Sequence, residues 1–135
     1  MPQQPLPGDL ATAYASYFPL LGALPAELAT RFSVSGELAP DFLLLFERMR
    51  SYAFYSETID QKTTQLLIFG MFLVLHREAA RIHALAARRA RATWQEMHTV
   101  VELAAIVGGF TALTIGDTIM ARLREEEVPK KEGDQ

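Results

Sequence analysis

The residues best equipped for chemistry fall between positions 76 and 102: His76, Arg77, Arg81, His83, His98 and Glu102. A histidine transfers protons near neutral pH, so His83 is first read as a general acid/base. It lies among Ala79, Ala80, Ala84, Ala86 and Ala87, whose small side chains leave room for a ligand. The competing reading is a core or interface histidine with a satisfied hydrogen bond. Arg77 and Arg81 are i, i+4 neighbours if both are helical, a spacing that suits bidentate capture of a small anionic substrate. The same two arginines also read as the start of a solvated basic face that continues into Arg88, Arg89 and Arg91. His98 and Glu102 repeat the i, i+4 spacing. Glu102 stands between Val101 and Leu103; if buried there, its pKa rises and it can assist as an acid or base. If exposed, it is a surface partner of His98.

His76 precedes His83 by seven residues. One continuous helix would put both on a single face, whereas a corner at His76 would separate them. Two histidines do not complete a metal site, so neither a metal nor another cofactor is expected. The chain has no cysteine. That excludes disulfides, thiolate metal sites, cysteine nucleophiles and thiol peroxidase chemistry, and it fits a reducing, cytoplasmic setting. Acidic residues number 16 against 13 basic ones, a net charge of −3. This balance argues against affinity for nucleic acid or anionic membrane. No aromatics interleave with the arginines to stack on bases.

The elements that must hold these groups are helical. With 135 residues, 50% of them hydrophobic and 21% charged, the chain reads as one folded domain. Residues 1–8 carry Pro2, Pro5, Pro7 and Gly8 and read as a flexible lead-in, with neither the basic nor the apolar region of a signal peptide. Asp9 can cap a short helix that Pro19 ends. Pro25 opens a second helix, to about Ser33, with Gly36 as its breaker. Pro40 and Asp41 open a third, in which Phe42, Leu45, Phe46, Met49, Tyr52 and Ala53 are expected on the core face. Glu47, Arg48 and Arg50 then fall on the other side.

Asp60 caps a helix running through Leu75. From Leu66 onward it is apolar all round, which is the pattern of a helix buried on every side. A chain this short has few helices to surround it, so a partner subunit is expected to cover part of it. His76, Arg77 and Glu78 form the expected corner before an alanine-rich helix that ends near Arg89. Thr93 and Glu96 make a capping box for a helix from Trp94 to about Val107. Gly108 and Gly109 interrupt the chain, and a last helix runs from Phe110 to about Glu126, stopped by Pro129. Residues 127–135 form a charged tail. Glu102 and Asp117 interrupt the longest apolar stretch, so no membrane span is expected.

The ordered set of motifs resembles the carboxymuconolactone decarboxylase family, which includes the alkylhydroperoxidase D-like proteins. Residues 59–67, Ile-Asp-Gln-Lys-Thr-Thr-Gln-Leu-Leu, resemble its "L-D-x-K-T-R-E-L-I" opening. His83, Ala87, Thr93 and Glu96 fall where the family has "H-x-x-x-A…G-x-T-x-x-E", and residues 109–112 resemble its later "G-x-P-A". The resemblance implies an all-α, compact bundle of about six to seven helices over residues 9–126, assembling through helix packing between subunits as a homo-trimer or homo-hexamer. It implies His83 as the reactive histidine and places the family's glutamate at Thr64 or Gln65. The C-x-x-C of the peroxidase branch maps to His76 and Ala79. The "L-G-R-E…H" of the decarboxylase branch resembles Leu75-His76-Arg77-Glu78…His83; its second histidine, tyrosine and proline are Leu103, Val107 and Thr111 here.

Two functions follow as expectations. One is a cofactor-free lyase or isomerase of a small organic acid. There His83 is the general acid/base, Glu102 or His98 assists, and His76, Arg77, Arg81 and Gln65 contact substrate. The other is a family member that has lost the reaction and serves as an oligomeric binding or assembly protein.

Overall fold

The computed structural model describes residues 5–127. The expected stop at Pro129 lies outside them. The described chain is all-helical, as the sequence implies: α1 (Leu10–Ala15), α2 (Phe18–Leu21), α3 (Ala26–Leu38), α4 (Pro40–Phe54), α5 (Gln61–Val74), α6 (Ala80–Arg89), α7 (Trp94–Gly108) and α8 (Phe110–Glu127). Helix α2 is a single turn; the other seven match the expected number of helices. Two compact units divide the chain, Met1–Thr64 and Gln65–Gln135.

In the first unit α1 starts where its cap predicts. The Asp9 side chain accepts the Thr12 N–H at 2.7 Å. That hydrogen bond holds the Asp9 carboxyl below the usual carboxylate range. Pro19 does not end this helix. It sits in the first turn of α2, where its missing N–H has no helical acceptor to lose. Gly36 does not break α3 either. A helical glycine costs only about 1 kcal/mol, so the helix runs on to Leu38. The stop is Pro40, whose ring excludes the helical conformation at Ala39 (φ −148°, ψ 61°).

Helix α4 reverses the expected orientation. Phe42 (64% exposed), Leu45, Phe46, Met49 (62%) and Tyr52 face outward, while Leu43, Glu47 and Ser51 are buried. Glu47 is completely inaccessible. The physical reason is that Glu47 and Arg50 neutralise each other and find further hydrogen-bond partners, so their burial leaves no bare charge. Tyr17, which touches both, is joined to Phe32, Tyr14 and Phe18 by a run of edge-to-face ring contacts.

The second unit has one hydrophobic core. Phe69 and Leu73 of α5 are fully buried with Ala80, Ala84 and Ala87 of α6, Met97 and Val101 of α7, and Ala112 of α8. Alanines on α6 and glycines elsewhere bring backbones close. A Cβ added at Gly116 would lie 2.7 and 2.8 Å from the Val101 methyls, and one at Gly70 would lie 2.9 Å from Val100. Helix α5 is not enclosed all round within the chain. Leu67, Met71 and Leu75 form an exposed apolar stripe at i, i+4, i+8. Gly109, at φ +82°, supplies the one-residue break between α7 and α8. Among the described residues, no helix is long and apolar enough to cross a membrane.

Candidate functional site

His83 projects from α6, one residue before the fully buried Ala84 and three before the buried Ala86. Its Nδ1 lies 2.8 Å from Oε1 of Gln65, a fully buried residue in the second turn of α5. The His83 ring stacks on Phe72 with centroids 5.3 Å apart and planes 20° apart. Phe72 is one helical span of seven residues beyond Gln65, so a single face of α5 supplies both contacts. Two directions of the ring are thereby fixed, one polar and one apolar. The amide oxygen can only accept, so Nδ1 is the donor in this bond, in the neutral and in the charged ring alike. Of Thr64 and Gln65, the side chain that meets the histidine is Gln65.

His76 is not on the helix of His83. Helix α5 ends at Val74, and His76 takes a left-handed conformation (φ 55°) in the corner before α6. Its Nε2 lies 3.0 Å from the Gly108 carbonyl oxygen at the end of α7. A ring N–H donated there satisfies a carbonyl that α7 itself leaves without a helical partner. Arg77 also lies in the corner, ahead of α6, so the helical i, i+4 pairing with Arg81 is not made. Both arginines are exposed.

His98 and Glu102 pair as their spacing suggests, and the structure adds a third group. Nδ1 of His98 is 3.2 Å from Glu102 Oε2, and Nε2 is 3.0 Å from Asp117 Oδ1 on α8. All three side chains are substantially exposed. Glu102 is therefore the surface partner of His98 and not the buried carboxyl of the alternative reading. Its flanking apolar residues misled, because Val101 faces the core while Leu103 is itself exposed. Partial desolvation disfavours the His98 charge, but the hydrogen bonds and charges of Asp117 and Glu102 outweigh it and raise its pKa above the ordinary histidine value.

Arg88 is not part of a freely solvated basic face. Its guanidinium lies 4.1 Å from the centre of the Trp94 ring, donates to the Ala92 carbonyl at 2.7 Å and engages the Glu127 carboxylate. It ties together the end of α6, the start of α7 and the end of α8.

The polar cluster that spacing alone missed lies in the first unit. The Tyr17 hydroxyl donates to Glu47 at 2.8 and 3.0 Å, and Arg50 Nε donates to the same carboxylate at 2.8 Å. Arg50 Nη2 reaches Ser16 Oγ at 2.9 Å, and its guanidinium lies 3.9 Å from the centre of the Tyr17 ring. Burial drives the Tyr17 pKa well above its ordinary value; Arg50 opposes this and Glu47 reinforces it. Burial also works against the Arg50 charge, but Tyr17, Tyr55 and Glu47 outweigh it. The only local sequence signal was Glu47 and Arg50 at i, i+3.

Comparison with known proteins agrees with the motif reading. The family model described as the carboxymuconolactone decarboxylase family matches residues 40–116. That span is more than half of the chain, and the protein belongs to this family. Comparisons with curated proteins and with solved structures return no match. The matched span contains Gln65, His83, His98 and Glu102, together with Glu47 and Arg50. With no cysteine anywhere in the chain, thiol-based peroxide reduction has no chemical basis here.

Proposed function

We propose that the protein is a cofactor-free lyase or isomerase of a small organic acid, with His83 as its proton-transfer group. The observation that carries this reading is the bond between His83 Nδ1 and the buried Gln65 amide oxygen, 2.8 Å long. With Nδ1 donating to Gln65, a neutral ring carries its lone pair on Nε2, the arrangement a base needs. In an isomerisation, Nε2 takes a proton from carbon and returns it to another carbon. In a decarboxylation, the bond to the carboxylate breaks, its electron pair stays on carbon, and an Nε2-protonated His83 delivers the proton there. Gln65 is neutral, so it orients the ring without the extra pull toward imidazolium that a carboxylate would exert. Arg77 and Arg81 add exposed positive charge near the start of α6, which favours an anionic substrate.

His98 and Glu102 belong to their own exposed cluster with Asp117, so the proposal rests on His83 and Gln65. The test is turnover of a panel of small keto acids, lactones and unsaturated acids by the wild type and by His83→Ala. Unchanged turnover of every accepted compound in the variant sinks the assignment.

A second reading, an oligomeric binding or assembly protein without a reaction, is favoured by the exposed apolar surface. Leu67 and Met71 on α5, Leu75 just after it, and Leu103, Ile106, Val107 and Phe110 around the α7–α8 break are all exposed. Leu103 and Val107 also stand where the decarboxylase branch has a histidine and a tyrosine. Self-association as a homo-trimer or homo-hexamer belongs to both readings. Light scattering that finds a monomer at micromolar concentration contradicts it.

A further inference from the structure

A cavity of about 100 Å³ in the first unit is lined by Pro5, Pro7, Thr12, Ser16, Ser51 and Tyr55. It stands beside the Tyr17–Glu47–Arg50 cluster. Arg48 Nη1 donates to the Pro7 carbonyl at 2.9 Å, and Pro7 is buried, so this wall is pinned to α4. The space exceeds the roughly 10–15 Å³ that one water needs. Four of the six lining residues carry a hydroxyl.

We propose that this cavity binds a small neutral polyol. The hydrogen bonds around it decide the chemical class. Ser16 Oγ donates to the Ala13 carbonyl and accepts from Arg50. The Tyr55 hydroxyl donates to the Ser16 carbonyl, with Arg50 Nη1 at 3.4 Å. Both hydroxyls have committed their protons, and each keeps acceptor capacity for a ligand. Ser51 contributes a further hydroxyl from a residue only 7% exposed. A hydroxyl can both donate and accept. The lining therefore offers several acceptors and a hydroxyl able to donate, which complements a molecule whose own groups do both.

Charged ligands fit less well. The Arg50 charge is already balanced by Glu47, and no unpaired cation lines the cavity to hold an anion. A cation finds no carboxylate in the wall. A purely apolar molecule would cover these hydroxyls while offering them no hydrogen bond, and each one left unsatisfied costs roughly 1–3 kcal/mol. The proline rings present apolar edges to the carbon skeleton of a polyol.

The experiment is an amide-resolved NMR titration of the full chain with glycerol, and separately with acetate and ethylammonium. Glycerol is expected to give saturable shifts at Thr12, Ser16, Ser51 and Tyr55. Ser51→Val, which fills the space and removes a hydroxyl from the lining, is expected to weaken binding by roughly tenfold or more. Thr12→Val, at an exposed position, is the second variant, keeping side-chain shape while deleting a hydroxyl, and is expected to weaken it more modestly. His83→Ala should leave glycerol binding unchanged, which separates this site from the reaction proposed above. The proposal is overturned if glycerol gives no saturable shift at these amides, if neither cavity variant alters it, or if acetate or ethylammonium saturates them more tightly than glycerol.

Discussion

His83 and Gln65 meet across 18 positions of sequence, with 2.8 Å between ring nitrogen and amide oxygen. The amide is inside the protein and the ring is half-buried. This single bond occupies Nδ1, so the proposed proton transfer falls to Nε2. Gln65→Leu keeps the bulk of the side chain but removes the acceptor. The loss of this bond, leaving a half-buried N–H without its partner, is expected to lower stability by about 1–3 kcal/mol. Chemical denaturation at constant pH measures it. Gln65→Glu has the opposite electrostatic effect: a carboxylate beside His83 favours the protonated ring, so the His83 pKa rises relative to the wild type. An imidazole NMR titration showing no rise would contradict the geometry.

The Glu47–Arg50 pair predicts an asymmetric mutational pattern. Glu47→Gln leaves the Arg50 charge in a buried setting and is expected to cost about 3–5 kcal/mol. Tyr17→Phe removes only the hydroxyl and is expected to cost about 1–3 kcal/mol. The double variant Glu47→Leu/Arg50→Met should cost less than the sum of its single variants, because the partners of a broken ion pair disappear together. Urea unfolding of the four proteins gives the comparison, and additive costs would argue against a coupled pair.

Close packing of α7 against α8 depends on Gly116. A methyl at this position would meet both methyls of the fully buried Val101 and would also lie 3.3 Å from Leu73. Both neighbours are fully buried. Gly116→Ala is therefore expected to destabilise by about 1–3 kcal/mol through overpacking, despite alanine's better helix propensity. Gly116→Ala combined with Val101→Ala should recover part of the loss. A stabilised Gly116→Ala variant in thermal unfolding would refute the close approach.

The His98 cluster gives a pH dependence whose sign follows from its raised pKa. A group that binds its proton more tightly when folded adds stability below its unfolded pKa, near 6.5, and loses that contribution as pH rises through the folded value. Because the groups are exposed, the contribution is expected to stay below about 1 kcal/mol and to shrink with added salt. Asp117→Asn should lower the His98 pKa toward the ordinary value and flatten this part of the stability profile. NMR titration of His98 and denaturation between pH 5 and 8 test both statements.

Local signals in the sequence located most of the helices. Asp9, Asp60 and Thr93 act within three residues of themselves, and each accepts the amide hydrogen bond its spacing predicts. Proline and glycine were less direct. Pro19 starts a turn instead of ending one, and Gly36 is carried through by a helix long enough to absorb its cost. The face of α4 was illegible because two stripes compete at the same period. Hydropathy favours Phe42, Phe46 and Met49, but Glu47 gains Tyr17 from 30 residues away, a partner that no local pattern reveals. Asp117 joins His98 across 19 residues for the same reason. The Gln65–His83 pair was approached through family motifs, which left Thr64 and Gln65 as alternatives; the side chain that meets His83 is Gln65.

The exposed stripe Leu67–Met71–Leu75 supplies a separate test of assembly. Met71→Lys places a charge in the middle of an apolar surface while leaving the buried residues Phe69 and Leu73 untouched. If this stripe is an interface between subunits, the variant should reduce the oligomer mass in light scattering with helix content unchanged. An oligomer unaffected by Met71→Lys would place the interface elsewhere.

The central claim, proton transfer at His83 Nε2, is tested most directly by solvent deuterium exchange. Small organic acids with an acidic C–H are incubated with the protein in heavy water, and deuterium incorporation at carbon is followed by NMR. The wild type is expected to catalyse exchange into at least one of them, and His83→Gln is expected to lose roughly a hundredfold or more of that rate while retaining its fold. Equal exchange rates in the two proteins, or no exchange above the uncatalysed rate with the wild type, would contradict the account.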